Sequence, residues 1–375
     1  MNSVKVYLKK YRESLYMLFF IPQFLCVSLG WGSADFPYKI VFAVGSLFLI
    51  LSMLGEEYSF NDIIKMVIFG GLVVWAFSQN RNRSLILACM AIFGAKNIEV
   101  KKILKYTFWI LTLSIFVKVS ACAVGILSNE ALTLPKENGK QYIIYSYGYN
   151  TPNGLYFHLV IAVLLGMVTY GKKVRWLYIG SFVLLMYLAY RILFSRTGWI
   201  CFLFAVLLYL VNNYIEIYPQ KLWGKWIRRF MIWSAVLLCL LNWILVYLWN
   251  GGYSWVNVIN SILNNRIMLA SGAFRKIGLT LFGSRGAVQL DMLYATMLLN
   301  YGIVLTVICI CMYTRLLQSM HRKKEGLMMV ALTVIALYSF MEVNAINPMW
   351  NPFLLLLAEE VFGERQKETM LITDM

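Results

Sequence analysis

Residues 230–249, FMIWSAVLLCLLNWILVYLW, run for twenty positions without a charged side chain, directly after Lys225, Arg228 and Arg229. As a helix rising 1.5 Å per residue such a run covers about 30 Å, the thickness of bilayer hydrocarbon, and its cationic flank reads as the edge that faces the cytoplasm. Eleven further segments approach the same standard. With the first, they are Ser14–Trp31, Tyr38–Leu54, Asp62–Phe77, Ser84–Ala95, Tyr106–Leu127, Asn153–Tyr170, Trp176–Phe194, Trp199–Val211, Phe230–Trp249, Met292–Leu316, Leu327–Met341 and Trp350–Phe362. Some are shorter than about 17 residues and imply local thinning of the bilayer or an interfacial position. The expected fold class is all-α: a single integral membrane domain over residues 1–375, a bundle of twelve spans.

Composition agrees. Of 375 residues 61% are hydrophobic and 14% charged, with a mean hydropathy of +0.68, whereas soluble domains carry about 25% charged residues. A soluble globular enzyme is excluded. The net charge of +17 raises a nucleic-acid partner, but that needs a basic face on a soluble domain, and the chain offers none. The cations instead segregate. With the amino terminus in the cytoplasm, 22 Lys and Arg fall on that side and ten on the other, while Lys118 and Arg191 lie within spans. The positive-inside rule then puts both termini in the cytoplasm. The seven cysteines all fall within spans, with no CxxC and no His/Cys cluster, so neither a disulfide framework nor a zinc site is expected. The first apolar run is long, contains Pro22 and lacks a small-residue cleavage pattern, unlike a signal peptide.

Two outer stretches are too long to be turns, 128–152 and 250–291, and long loops in compact folds are commonly functional. In the second, Trp255, Val258, Ile259, Ile262, Leu263, Leu269 and Ala270 recur at helical spacing while Asn257, Asn260, Ser261 and Asn264 fall on another face. That pattern predicts one amphipathic helix lying on the membrane surface, with Arg266 on its apolar side.

Ionisable side chains in or at the edge of a span are costly and mark functional candidates. Arg191 ends the seventh span and is followed by Ser195-Arg196-Thr197-Gly198; Arg191 equally suits snorkelling to headgroups. The second loop supplies Arg266, Arg275, Lys276 and Arg285, with Asp291 the nearby acid. Guanidinium forks suit phosphate, so an outer cluster of this kind fits an anionic lipid diphosphate, although Arg275 and Lys276 fit ordinary anionic headgroups equally well. Phe282-Gly283-Ser284-Arg285-Gly286 adds a glycine-flexible loop able to bring backbone amides to an anion. Asp291, with Tyr294 just after it, and Glu342 are the acids placed to act as a base, and each also suits a helix cap or an arginine counter-ion. His158, shortly after Asn153, has no metal partners and reads more readily as a packed core residue; His321 reads as a loop residue among cytoplasmic cations.

The order SRTG, a long outer loop with Asn265-Arg266, then LFGSRG (281–286), LDMLY (290–294) and Tyr301-Gly302, with YGYNTPNGLYF (147–157) before the sixth span, resembles the O-antigen and capsular polysaccharide polymerases of the Wzy type. The resemblance covers most of the chain in topology through short motifs. It implies a metal-independent glycosyltransferase without a cofactor in a bacterial plasma membrane, joining oligosaccharide repeat units carried on polyprenyl diphosphate at the outer face, with a chain-length regulator as a further partner. It places Arg196 and Arg266 on the diphosphate, Arg285 assisting, and Asp291 as base or acceptor-orienting group; Arg191, Arg275, Tyr294, Asn153, His158 and Glu342 stand as substrate-binding candidates. The related O-antigen ligases usually carry a histidine where this chain has Asp291, which favours polymerase over ligase. A lipid-linked oligosaccharide flippase is the competing class, but the two halves of this chain look unlike each other.

Overall fold

The structure, a computed structural model, describes residues 2–135, 141–171, 176–218, 221–286 and 288–363. Among these residues the elements are helices and one two-stranded hairpin. In order come α1 (Asn2–Ser28), α2 (Phe36–Leu54), α3 (Phe60–Asn80), α4 (Ser84–Gly94), α5 (Val100–Ala123), strands β1 (Ala131–Pro135) and β2 (Gln141–Tyr145), α6 (Pro152–Tyr170), α7 (Trp176–Leu193), α8 (Arg196–Ile217), α9 (Leu222–Asn250), α10 (Ser254–Ile262), α11 (Arg266–Ile277), α12 (Leu293–Thr296), α13 (Ile303–Arg322), α14 (Gly326–Ser339) and α15 (Leu357–Phe362). Among the described residues seven helices, α2, α3, α5, α6, α8, α9 and α13, are long and apolar enough to cross a membrane; α4, Ile179–Leu193 within α7, and α14 are apolar but shorter.

Local chemistry sets the ends. At α3, Ser59 Oγ accepts from the Asp62 amide at 3.2 Å and the Ser59 amide donates to Asp62 Oδ2 at 3.0 Å, a reciprocal capping box. At α6 the Thr151 hydroxyl accepts from the Gly154 amide at 3.0 Å and Pro152 takes the first position, where its missing N–H costs nothing. Outward faces are as apolar as inward ones: α2 exposes Ile40, Val44, Leu47, Ile50, Leu51 and Leu54, the signature of a helix in hydrocarbon. The interior is aromatic, with Tyr16, Phe19, Phe20, Tyr156, Phe157 and Tyr338 almost wholly buried.

The turns gather at two ends. At one, Arg12 pairs with Glu56, Lys96 with Asp62 at 2.9 Å, Lys102 with Glu13 at 2.8 Å, Lys101 with Glu325 and Lys323 with Glu359; these belong to the segments that the charge count assigns to the cytoplasm. At the other, Tyr149 reaches Ser28, Asn80 reaches Asn300, and Arg266 meets Glu342. Lys136, Lys140, Lys172, Lys173, Arg175, Arg365 and Lys367, used in that count, lie outside the described residues.

Three expectations are corrected. The span expected over Met292–Leu316 is broken: α12 is one turn, Met297–Tyr301 is π-helical, and Gly302, at φ +87°, separates it from α13. The break exists because segment 280–283 docks against it, with the Ile303 amide donating to Thr280 O at 2.9 Å and the Val304 amide to Leu281 O at 3.1 Å. The segment expected over Trp350–Phe362 is a 3-10 turn, Pro352–Leu356, followed by the short α15. Pro352 and its neighbours are buried in protein, where irregular backbone is tolerated. The single amphipathic surface helix is instead two helices, because Asn264 and Asn265 adopt φ +52° and +62°, the left-handed region that asparagine tolerates. Within the long loop expected over 128–152, β1 and β2 pair antiparallel with Leu132 opposite Ile144, a short ribbon beside an otherwise helical fold among the described residues.

Candidate functional site

The asparagine turn between α10 and α11 positions the centre of the site. Asn260 Nδ2 donates to Asn265 Oδ1 at 2.8 Å, and Asn260 Oδ1 accepts from the Met268 amide at 3.0 Å. This lock makes Arg266 the first residue of α11 and sends its side chain inward. The guanidinium, 6% exposed, donates from Nε to Asp291 Oδ2 at 3.2 Å, from Nη2 to Glu342 Oε1 at 3.0 Å and from Nη1 to Thr197 Oγ1 at 3.4 Å. Four parts of the chain thus meet on one planar cation: the start of α8, the start of α11, the approach to α12 and the segment after α14. Arg266 is not on the apolar side of a surface helix, as the sequence pattern predicted; it is a buried hub.

The two acids differ. Asp291 is 59% exposed on its side chain and presents an accessible carboxylate, whereas Glu342 is 11% exposed. Glu342 lies beyond α14, outside the spanning helices, and burial pushes its carboxyl up to about 6; Arg266 pulls it down and the Asp291 charge pushes it up further. A carboxyl whose folded pKa is raised stabilises the fold most fully below its unfolded pKa, and loses that contribution as pH rises through about 6. The melting-temperature advantage of wild type over Glu342→Gln is therefore expected to be larger at pH 5 than at pH 7.5; an equal or inverted gap contradicts the raised pKa.

The SRTG motif splits by role. Arg196 opens α8 and is exposed, and Ser195 is buried with an unpartnered hydroxyl. Thr197, which sequence reasoning passed over, is the residue that reaches Arg266. Gly198 is required by packing: a Cβ there would strike the ring of Tyr156, whose hydroxyl donates to Met186 O at 2.9 Å. No sequence signal marked Thr197 beyond its place in the motif, and none paired it with a residue 69 positions away.

The other candidates lie apart from the hub. Arg191 is exposed and donates to the Tyr187 hydroxyl at 3.1 Å one turn back on its own helix. Arg275 and Lys276 are exposed in the last turn of α11, where cations favour the helix dipole. Arg285 is exposed, while its neighbour Ser284 is buried and donates to Leu299 O at 2.7 Å. Tyr294 is buried, its hydroxyl donating to Ala336 O at 2.9 Å, so it holds α12 against α14 and offers nothing to a ligand. Asn153 is half-buried in the first turn of α6. His158 is 1% exposed and stacked on Trp350 with ring centroids 4.3 Å apart.

All three nitrogens of the Arg266 guanidinium are engaged within the protein, so it orients Asp291 and Glu342, and a phosphate could reach it only by displacing one of them. Arg196, one residue before Thr197, is the nearest cation in sequence left exposed. What results is a buried ion cluster with one exposed carboxylate, Asp291, and with the exposed Arg196 adjoining Thr197 in the chain; a carboxylate of this kind is suited to proton acceptance and an arginine to a leaving anion. Set against protein-family models, curated proteins and solved structures, the chain matches none of them.

Proposed function

We propose that this protein is a polysaccharide polymerase of the Wzy type, acting at the outer face of a bacterial plasma membrane on oligosaccharide repeat units linked to polyprenyl diphosphate. The observation that carries the reading is the Arg266–Asp291–Glu342–Thr197 cluster, which draws LDMLY, SRTG and the Asn-Arg loop to one place with an exposed arginine and an exposed carboxylate beside it. In the transfer, a hydroxyl of the acceptor unit attacks the anomeric carbon of the donor sugar. The bond from that carbon to the diphosphate oxygen breaks, the electron pair leaves with the diphosphate towards Arg196, and the hydroxyl proton passes to the Asp291 carboxylate. Arg266 holds Asp291 in place and Glu342 neutralises Arg266 from behind.

The proposed topology is twelve crossings with both termini in the cytoplasm. It is supported by the sorting of turns to two ends and by the cationic bias of the end that carries the Arg12–Glu56 and Lys96–Asp62 pairs. In this arrangement α10, which exposes Trp255, Val258 and Ile262 while burying Val256 and Asn260, lies in the membrane interface on the outer side.

Reconstitution of the purified protein with a polyprenyl-diphosphate oligosaccharide tests the reading. A ladder of longer products is expected, and Arg196→Ala is expected to reduce its rate by about 100-fold, the scale of losing one preorganised oxyanion donor. Transfer to an unrelated acceptor makes the protein a ligase, and movement across the bilayer without a new linkage makes it a flippase; either overturns the proposal.

A further inference from the structure

A second polar cluster, which the proposed transfer does not use, gathers around Tyr149, where the ends of α1 and α5 meet the start of α6. Lys118, in the last turns of α5, is 4% exposed, and among the described residues no ion pair or hydrogen bond reaches it. Its ammonium lies 3.9 Å from the centroid of the Tyr149 ring. Tyr149 is fixed in turn: its hydroxyl donates to Ser28 O at 3.2 Å, its amide to Ser146 O at 3.0 Å, and its ring centroid is 5.4 Å from that of His158. His158 has no partner at either Nδ1 or Nε2, and the hydroxyls of Ser28 and Ser146 are also buried and unpartnered. Two glycines at positive φ let the backbone approach the lysine side chain closely, since a Cβ on Gly30 would lie 2.5 Å from Lys118 Nζ and one on Gly148 would lie 3.3 Å from its Cε.

This grouping is costly as it stands. Each buried unsatisfied polar group costs about 1–3 kcal/mol, and an ammonium withdrawn from water without a counter-ion costs several more. The Tyr149 face returns about 2 kcal/mol at most. Buried waters would satisfy the two serines and the imidazole but would leave the charge uncompensated. One species satisfies everything at once: a group with a negative charge and several lone pairs, taking protons from the ammonium and both hydroxyls and facing the imidazole.

We propose that Lys118, His158, Ser28 and Ser146 form an oxyanion-binding site, separate from the Arg266 cluster, for a carboxylate or phosphate group. Two sources carry that chemistry, an acidic sugar and a phosphate ester, and the site does not depend on the polymerase reading.

The test uses the full chain in lipid nanodiscs with glucuronate and inorganic phosphate as probes. Saturable binding of at least one probe is expected, weakened at least tenfold in Lys118→Met and unchanged in Lys276→Gln, which alters an exposed cation of α11; preference for glucuronate marks an acidic sugar, preference for phosphate a phosphate ester. Binding of neither probe, or equal binding by Lys118→Met, overturns the site. Should Lys118→Met fail to fold, the unmutated protein still decides. Its two histidines give two pairs of ring-nitrogen resonances, assigned through His321→Gln, and the His158 pair is expected to move on titration with the bound probe; a stationary His158 pair overturns the proposal.

Discussion

Arg266→Ala is expected to lower stability by about 3–5 kcal/mol, the scale for removing one partner of a buried ion pair, and to abolish polymer synthesis. The stability loss comes chiefly from Glu342, left almost buried with no counter-ion, since Asp291 is 59% exposed and solvates itself once released. Accordingly Asp291→Asn should change stability by no more than about 1 kcal/mol while removing the proton acceptor and with it the transfer. Arg266→Lys should not rescue, because one ammonium cannot span acceptors that the planar fork reaches from three different nitrogens. Structure and chemistry are separated by the double variant Arg266→Met with Glu342→Met, in which apolar side chains replace a buried pair; such replacements are often neutral or stabilising. Thermal melting should return towards wild type and product ladders should stay absent. Normal ladders from that double variant would remove the ion cluster from the mechanism and leave it a folding element.

How far the sequence disclosed this arrangement differs between fold and site. Long apolar runs such as Phe230–Trp249 are legible because lipid demands an uninterrupted apolar stretch with its backbone hydrogen-bonded internally, and no tertiary detail is needed to see it. The 3-10 turn at Pro352 and the π-helical break before Gly302 are not legible, because both are buried in protein, where neighbouring segments rather than lipid satisfy the backbone. The pair Asn264-Asn265 did carry the signal that breaks the predicted surface helix, a left-handed turn at two asparagines, but it sits inside a period that also fits a continuous polar face. At the site, the arginines stood out by charge, whereas their partners did not: Thr197 is an ordinary residue of a helix start, and the contacts of Arg266 span 25, 69 and 76 positions, which no local spacing encodes. Lys118 was visible as a lysine deep in a span, but its missing counter-ion is a property of the folded chain alone.

Gly302→Ala is expected to be the most damaging single methyl group that can be added to this chain, at about 4 kcal/mol or more, and to cost transfer activity along with stability. Two effects act together. At φ +87° an alanine carries the strain of a conformation that side chains disfavour, about 1–3 kcal/mol. The added Cβ would also meet backbone atoms, Leu281 O at 2.6 Å and the Gly283 amide nitrogen more closely still, and backbone cannot rotate away as a flexible side chain does. Relief requires segment 280–283 to lift from α13, which breaks the bonds from the Ile303 and Val304 amides to Thr280 and Leu281. The consequence reaches the site because the same segment leads, through Ser284 and its bond to Leu299 O, into the stretch that carries Asp291. Proteolysis of the folded protein checks this step: Gly302→Ala should expose the Arg285 peptide bond to trypsin at a protease level that leaves wild type intact, while Gly286→Ala, at φ +91° but with open space around its Cβ, should show the strain alone and a smaller loss. Equal behaviour of the two variants would mean that conformational strain, and not the docked loop, governs the break in the helix.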